Sequence, residues 1–241
     1  MDLIGAIDVR CSRRKYTSDL IDSNKVIHLE NLIEKINKKA NLHLQLILKD
    51  GKAFENIRKS YGMFSGVQNY IALVGKNDKL LREKVGYYGE KIVLEATTMN
   101  LGTCWVGGSF DKEACSAEIE DNEILVGVIT IGNVSKNLSI KEKLIFKAIH
   151  RKSKKVEEMC ETKGEVPEWF KDGMMAVKKA PSAINKQPVR FYFENSTVTA
   201  VVKGDNEYEQ IDLGIAKLHF QIGAKGGKWQ WGNGAQFTKE V

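Results

Sequence analysis

Residues Ala180-Pro181-Ser182-Ala183-Ile184-Asn185-Lys186-Gln187-Pro188 read as a loop that delivers the chain into a strand. The small residues at 180, 182 and 183 let a flat ligand approach the backbone. Asn185 and Gln187 carry amides that both donate and accept. Pro188 is expected to hold Gln187 extended. By itself the stretch also suits an Asx-stabilised loop with no ligand. Downstream, Val189–Glu194 and Thr197–Val202 pattern as two strands of a hairpin, with Asn195-Ser196 as the turn. Upstream, Trp169–Lys179 patterns as a helix.

Farther out, helices and strands alternate irregularly. Residues 2–9 read as a short helix. Residues 24–39 form an amphipathic one, with Val26, Leu29, Ile33 and Ile36 on a single stripe. Leu42–Leu48 alternates like a strand and Asp50-Gly51 is a turn signal. Tyr70–Val74, Thr103–Val106 and Ile124–Ile131 are further strands. Asp78–Asn100 is a long helical stretch, with Gly102 expected near its C-terminus. Asn133–Lys163 is polar and basic, and is expected to connect two halves. Ile211–Ile222 is helical, Gly223–Lys228 a turn, and Trp229-Gln230-Trp231 a last strand. No exact internal repeat is visible. The hairpins argue for an α+β fold rather than a doubly wound sheet.

Two more segments carry chemistry. If Arg10-Cys11-Ser12-Arg13-Arg14-Lys15-Tyr16 is extended, Arg10, Ser12 and Arg14 project to one side. Two guanidinium forks and a hydroxyl on one face suit a phosphate or a carbonyl-rich ring edge. Leu101-Gly102-Thr103-Cys104-Trp105-Val106-Gly107-Gly108 reads as a strand ending in glycines, a backbone edge with no side chain to collide with a planar group. The basic clusters Arg10–Lys15 and Lys147–Lys155 also suit an ordinary solvated surface.

Composition narrows the classes. The chain has 241 residues, 42% hydrophobic and 28% charged, enough to bury a core. Thirty-seven basic against 31 acidic residues leave +6, without a recognisable nucleic-acid module, so no nucleic-acid partner is expected. The longest mostly apolar run, Ile124–Ile131, is far short of the roughly 20 residues of a membrane helix. Met1–Lys15 lacks the apolar centre of a secretory signal. A cytoplasmic protein without a membrane partner is the expectation. The four cysteines (Cys11, Cys104, Cys115, Cys160) and four histidines have no metal-ligand spacing, so neither zinc nor a disulfide framework is expected. Gly226-Gly227-Lys228 is followed by Trp229, which excludes a P-loop, and no G-x-G-x-x-G is present.

Together these segments resemble the nitroreductase family of FMN-dependent oxidoreductases, in its single-chain, fused-half branch. Arg10, Ser12, Arg14 and Tyr16 match R-x-S-x-[RK]-x-[FY]. Pro181, Ser182, Asn185, Gln187 and Pro188 match P-S-x-x-N-x-Q-P. Leu101–Gly108 resembles G-L-G-x-x-W-x-G, with Asn100 in place of the first glycine. His150-Arg151-Lys152-Ser153 with Glu157-Glu158 resembles a late R-K…E-E element. Val189 follows where the family often has Trp, and Cys11 stands where Arg or His is common.

The resemblance implies a central, mainly antiparallel sheet flanked by helices. It implies one nitroreductase-like domain over 1–241, built of two pseudo-symmetric halves, about 1–140 and about 141–241. The P-S-x-x-N-x-Q-P element lies in the second half, so one chain would complete one flavin site. A monomer would suffice, with a homodimer left open. Cofactor-binding roles carry over to Arg10, Cys11, Ser12, Arg14, Val106, Gly107, Gly108, Arg151, Lys152, Pro181, Ser182, Ala183 and Asn185. No side chain is implied as catalytic, because the flavin carries the chemistry. NAD(P)H would deliver hydride to flavin N5, and a small acceptor such as a nitroaromatic or quinone would take it. A flavin-binding protein without turnover, or another flavin reaction on this fold, is the alternative.

Overall fold

The computed structural model describes residues 1–56, 58–150, 153–204 and 206–239, with the side chains of 149 and 150 left out. The chain divides into two compact units, each discontinuous in sequence. One comprises Val9–Leu81 and Ile92–Lys147, here the arm unit. The other comprises Met1–Asp8, Arg82–Lys91 and Ala148–Val241, here the loop unit. Among the described residues no helix is long and apolar enough to cross a membrane.

The arm unit holds a four-stranded antiparallel sheet in the order β1-β2-β4-β3. Its strands are β1 (Gln45–Ile47), β2 (Tyr70–Lys76), β3 (Gly102–Val106) and β4 (Glu123–Gly132). β1 covers only Gln45–Ile47 of the alternating residues 42–48, and Lys49, at φ 56°, turns the chain after it. β4 pairs with β2 through a bulge. Leu73 faces Gly127 while Val74 faces Leu125, so Val126 is the extra residue. Helix α2 (Ser23–Ala40) begins where the Asp22 carboxylate accepts from Asn24 N–H, and buries Leu29, Ile33 and Ile36. Short α3 (Lys52–Glu55) follows the Asp50-Gly51 turn and brings Phe54 into a core with Tyr16, Val67, Tyr70, Val106 and Phe110. α5 (Ile140–His150) occupies part of the stretch expected to be only a connection.

In the loop unit, β5 (Cys160–Thr162), β6 (Arg190–Glu194), β7 (Thr197–Val201), β8 (Lys228–Trp229) and β9 (Gln236–Thr238) order as β5-β6-β7-β9-β8. Pairing is antiparallel except between β5 and β6. The expected hairpin is present as β6–β7. Its turn residues Asn195 and Ser196 both have positive φ, 50° and 60°, as a two-residue hairpin turn demands. α6 (Glu168–Lys178) and α7 (Glu207–Gly223) pack on this sheet. Phe170, Phe191, Phe193, Phe220 and Phe237 form the core, with Phe220 stacked on Phe191 at 5.2 Å. Trp229-Gln230-Trp231 is not the last strand in the chain: β8 takes only Trp229 of the three, and β9 comes later and inserts between β7 and β8.

α4 (Leu81–Thr98) contributes its first turns, Arg82–Lys91, to the loop unit. There α7 comes so close that a Cβ on Gly86 would lie 2.0 Å from the Ile211 carbonyl, and one on Gly214 1.9 Å from that of Glu83. The contact encloses a buried lysine–glutamate ion pair and a buried histidine–glutamate hydrogen bond. Lys217 Nζ lies 2.5 Å from Glu83, and also donates to the Gln230 and Gly232 carbonyls. His219 Nε2 lies 2.9 Å from Glu90. Burial lowers the Lys217 pKa, against the opposing pull of Glu83.

Helices α4 and α7 end alike. α4 closes with Asn100 at φ 60°, Asn100 N–H donating to Thr97 and Leu101 N–H to Ala96. α7 closes with Lys225 at φ 57°, Lys225 N–H donating to Ile222 and Gly226 N–H to Gln221. These are two Schellman caps. Each leads into a strand spaced G-x-x-x-x-G, Gly102–Gly107 and Gly227–Gly232. The capping residue after α4 is thus Asn100, not the expected Gly102. Asn is the side chain that best tolerates left-handed backbone after glycine, so it can close the helix here.

Candidate functional site

In the arm unit, the segment after α1 (Leu3–Val9) runs extended alongside β3. Ser12 bridges Thr103 in parallel and Lys15 bridges Ser65. Arg13 N–H donates to the Thr103 carbonyl at 2.8 Å, and Tyr16 N–H to that of Ser65 at 3.0 Å. The side chains then sort by direction. Arg13 turns inward, and its Nε donates to Glu142 Oε1 at 3.2 Å. Its guanidinium also reaches the Ser135 and Asn137 carbonyls. Arg10, Ser12 and Arg14 gather instead around the Cys104 thiol of β3. Burial pushes that thiol up, while Arg14, a hydrogen bond with Ser12, and Arg10 pull it back. Cys11 lies beside it as well.

Glu142 on α5 fixes the arm. Its Oε1 accepts from Arg14 N–H (2.8 Å) and Lys15 N–H (3.2 Å) as well as from Arg13, and its Oε2 accepts from Ser139 N–H (2.7 Å). Burial pushes this carboxyl up, but the hydrogen bonds from Arg14, Ser139 and Arg13 outweigh it and bring it down to about 2. Arg14 Nε is buried with no hydrogen-bond partner among the described residues. Val106, Gly107 and Gly108 lie at the far end of β3, roughly 13 Å along the strand from Thr103 at its usual rise per residue.

In the loop unit, Pro181, Ser182, Ala183 and Asn185 stand together in one turn. Ile184, Asn185 and Gln187 all have positive φ, 47°, 55° and 47°. Gln187 is therefore left-handed, not extended as Pro188 suggests. The reason is its buried side chain. Gln187 Oε1 accepts from Lys154 N–H at 2.7 Å and its Nε2 donates to the Lys178 carbonyl at 3.3 Å. Its own N–H donates to Ser182 Oγ at 2.9 Å. These bonds overrule the local preference. Lys154 Nζ also donates to the Gln187 carbonyl at 2.7 Å, so one member of the basic cluster pins the loop rather than facing water. Asn185 Nδ2 donates to Ser153 Oγ at 3.0 Å. Arg151 and Lys152 lie outside the described residues.

The family model described as "Putative TM nitroreductase" matches residues 2–224. The chain belongs to the nitroreductase family. The crystal structure of a putative nitroreductase from Thermotoga maritima shares its fold, with a TM-score of 0.66 over 98% of this chain and 92% of that one, at 21% identity. A nitroreductase family protein from Clostridium novyi (18% identity, TM-score 0.46) covers 56% of this chain and 87% of its own. A nitroreductase with bound FMN from Bacteroides fragilis (13% identity, TM-score 0.44) covers 58% of this chain and 92% of its own. No curated protein matches the sequence.

For a nitroreductase-family chain, the arm has the right donors for FMN. Arg10 and Arg14 are cations, Ser12 offers a hydroxyl, and the buried Arg14 Nε has no acceptor among the described residues. Buried donors left in that condition cost free energy until an acceptor arrives. Residues that shape the nitroreductase elements escaped the sequence reading. Arg13 was set apart from Ser12 and Arg14 but given no partner, Glu142 was not singled out, and Asp212, beneath Ala183, lay unnoticed inside a helical stretch. One signal was available: an ionisable residue such as Asp212, Lys217 or His219 in a helix apolar on every side must find a buried partner.

Proposed function

We propose that this chain binds FMN and transfers hydride from NAD(P)H to a small organic acceptor such as a nitroaromatic or quinone. The observation that carries this reading is the arm's cationic face, Arg10, Ser12 and Arg14 against β3, with the Arg14 Nε buried and unused. When bound, the flavin supplies the two-electron chemistry; the protein supplies binding, orientation and electrostatics. Arg10 and Ser12 hold the tail, joined by Arg151 or Lys152 at the phosphate, with Cys11 alongside. Arg14 faces the pyrimidine edge, where a fixed cation favours the negative charge that reduction places on the ring. Pro181, Ser182, Ala183 and Asn185 line the ring, their positions pinned by Gln187 and Lys154. Val106, Gly107 and Gly108 offer backbone to its edge. No side-chain nucleophile is needed.

The test is a visible spectrum of the purified protein, with FMN added and then NADPH or NADH under anaerobic conditions. A flavin band that bleaches on reduction is expected. Protein that stays colourless after incubation with FMN refutes the reading. A flavin band that neither nucleotide bleaches leaves flavin binding without turnover.

A further inference from the structure

Asp212 sits on α7 directly behind the Pro181–Pro188 loop and is only 4% exposed. Both its carboxylate oxygens face the Ala183 amide, at 3.1 and 3.2 Å. Around it Val177, Ala180, Pro188, Val189 and Ala216 line a void of about 10 Å³, at or below what one water needs. The carboxylate is thus answered by a backbone N–H. That N–H opens the turn in which Ile184 and Asn185 take left-handed backbone. Such a conformation costs free energy in a residue with a Cβ and persists only where surrounding bonds impose it.

We propose that Asp212 is a positioning residue of this loop: ionised, it fixes the Ala183 amide and the left-handed turn that follows; protonated, it releases them. This rests on the flavin reading above, in which Ala183 and Asn185 line the cofactor ring, and it makes the loop's grip on that ring follow pH. The charged surroundings allow it. Burial pushes Asp212 up to about 7, with the Ala183 N–H and Lys186 opposing and Glu209, one turn earlier on α7, adding to the rise. Among the described residues lining the void, the end of α6 and the entry to β6 bring Val177, Ala180, Gln187, Pro188 and Val189, none of them titratable. From α4, Glu83 is held by Lys217, Glu90 by His219 and Arg82 by Glu207. A carboxylate is a far stronger acceptor for an amide than its protonated form, so losing the charge loosens the bond.

The experiment measures hydrogen exchange at the Ala183 amide of the full chain without cofactor, corrected for intrinsic exchange, alongside FMN titrations at pH 6 and pH 8. A group titrating near 7 goes from about one-tenth to about nine-tenths ionised over that range, so protection at Ala183 should rise about tenfold in the wild type. FMN affinity should rise with it, by about three- to tenfold. D212N keeps an acceptor oxygen without the charge and should show neither dependence. D212A should leave Ala183 poorly protected at both pH values. Wild-type protection that does not change with pH, or that changes equally in D212N, overturns the proposal. Because the exchange is read without cofactor, a chain that binds no FMN at all defeats the flavin reading separately and leaves the exchange result to judge Asp212.

Discussion

Replacing Glu142 with Gln removes one negative charge and little volume, and the arm's geometry sets how much that costs. The carboxylate is 3% exposed, and takes the Arg13 guanidinium, the Arg14 and Lys15 amides on one oxygen and the Ser139 amide on the other. Its pKa falls from an ordinary 4.5 to about 2, because those hydrogen bonds more than offset burial. At about 1.4 kcal/mol per unit, the ionised form stabilises the folded state by about 3 kcal/mol. A second route agrees: removing one partner of a buried ion pair costs about 3–5 kcal/mol. The sign follows from linkage. A depressed carboxyl pKa contributes stability above the unfolded value, near 4.5, and loses it as pH falls toward 2. Urea unfolding of wild type and E142Q between pH 7 and pH 3 should show a gap of about 3 kcal/mol at neutral pH that narrows steadily below pH 4.5. A gap under about 0.5 kcal/mol at pH 7, or one that ignores pH, refutes the assignment of Glu142 as the arm's anchor.

Other variants separate structure from binding. R14A should weaken FMN about 10- to 100-fold, the worth of one charge-assisted hydrogen bond, with little change in urea midpoint, whereas R13A should lower the midpoint because it strips Glu142 of its counter-ion; fluorescence titration and urea melts read the two effects apart. D212N should raise thermal stability at pH 8 and much less at pH 5. The folded carboxyl's pKa is raised to about 7, so its contribution is present below the unfolded value and is lost as pH climbs through 7, on the order of 2–4 kcal/mol; equal melting gains at both pH values count against it. K217M should cost about 3–5 kcal/mol by leaving Glu83 buried and unpaired, and E83Q in the same chain should recover part of that, read as coupling in a double-mutant cycle. N100G should be neutral or slightly stabilising and N100A should cost about 1 kcal/mol, because φ is 60° there; a neutral N100A would remove the cap from the account of α4.

What the amino-acid sequence determined by itself is whatever depends on neighbours a few residues away. The stripe of Leu29, Ile33 and Ile36 specifies α2 and its buried face, and Asn195-Ser196 specifies the β6–β7 turn. The period-two alternation of an extended arm already separates Arg13 from Ser12 and Arg14. The motif residues of the arm and of the Pro181–Pro188 loop were readable too, because each motif is short. What only tertiary structure decided are the partners of buried charges. Arg13 and Glu142 are 129 residues apart, Lys217 and Glu83 are 134 apart, and His219 and Glu90 are 129 apart. No local pattern pairs them: alternation set Arg13 apart from Ser12 and Arg14 but gave it no partner, and nothing near Glu142 in the sequence marked it as that partner. Gln187 shows the same thing in the backbone. Proline after it favours an extended conformation, yet its side chain, accepting from Lys154 N–H and donating to the Lys178 carbonyl, holds it left-handed. The physical reason is common to all of them. A desolvated charge or amide must be answered by whatever group the packing brings to it, and the packing is settled by the whole chain.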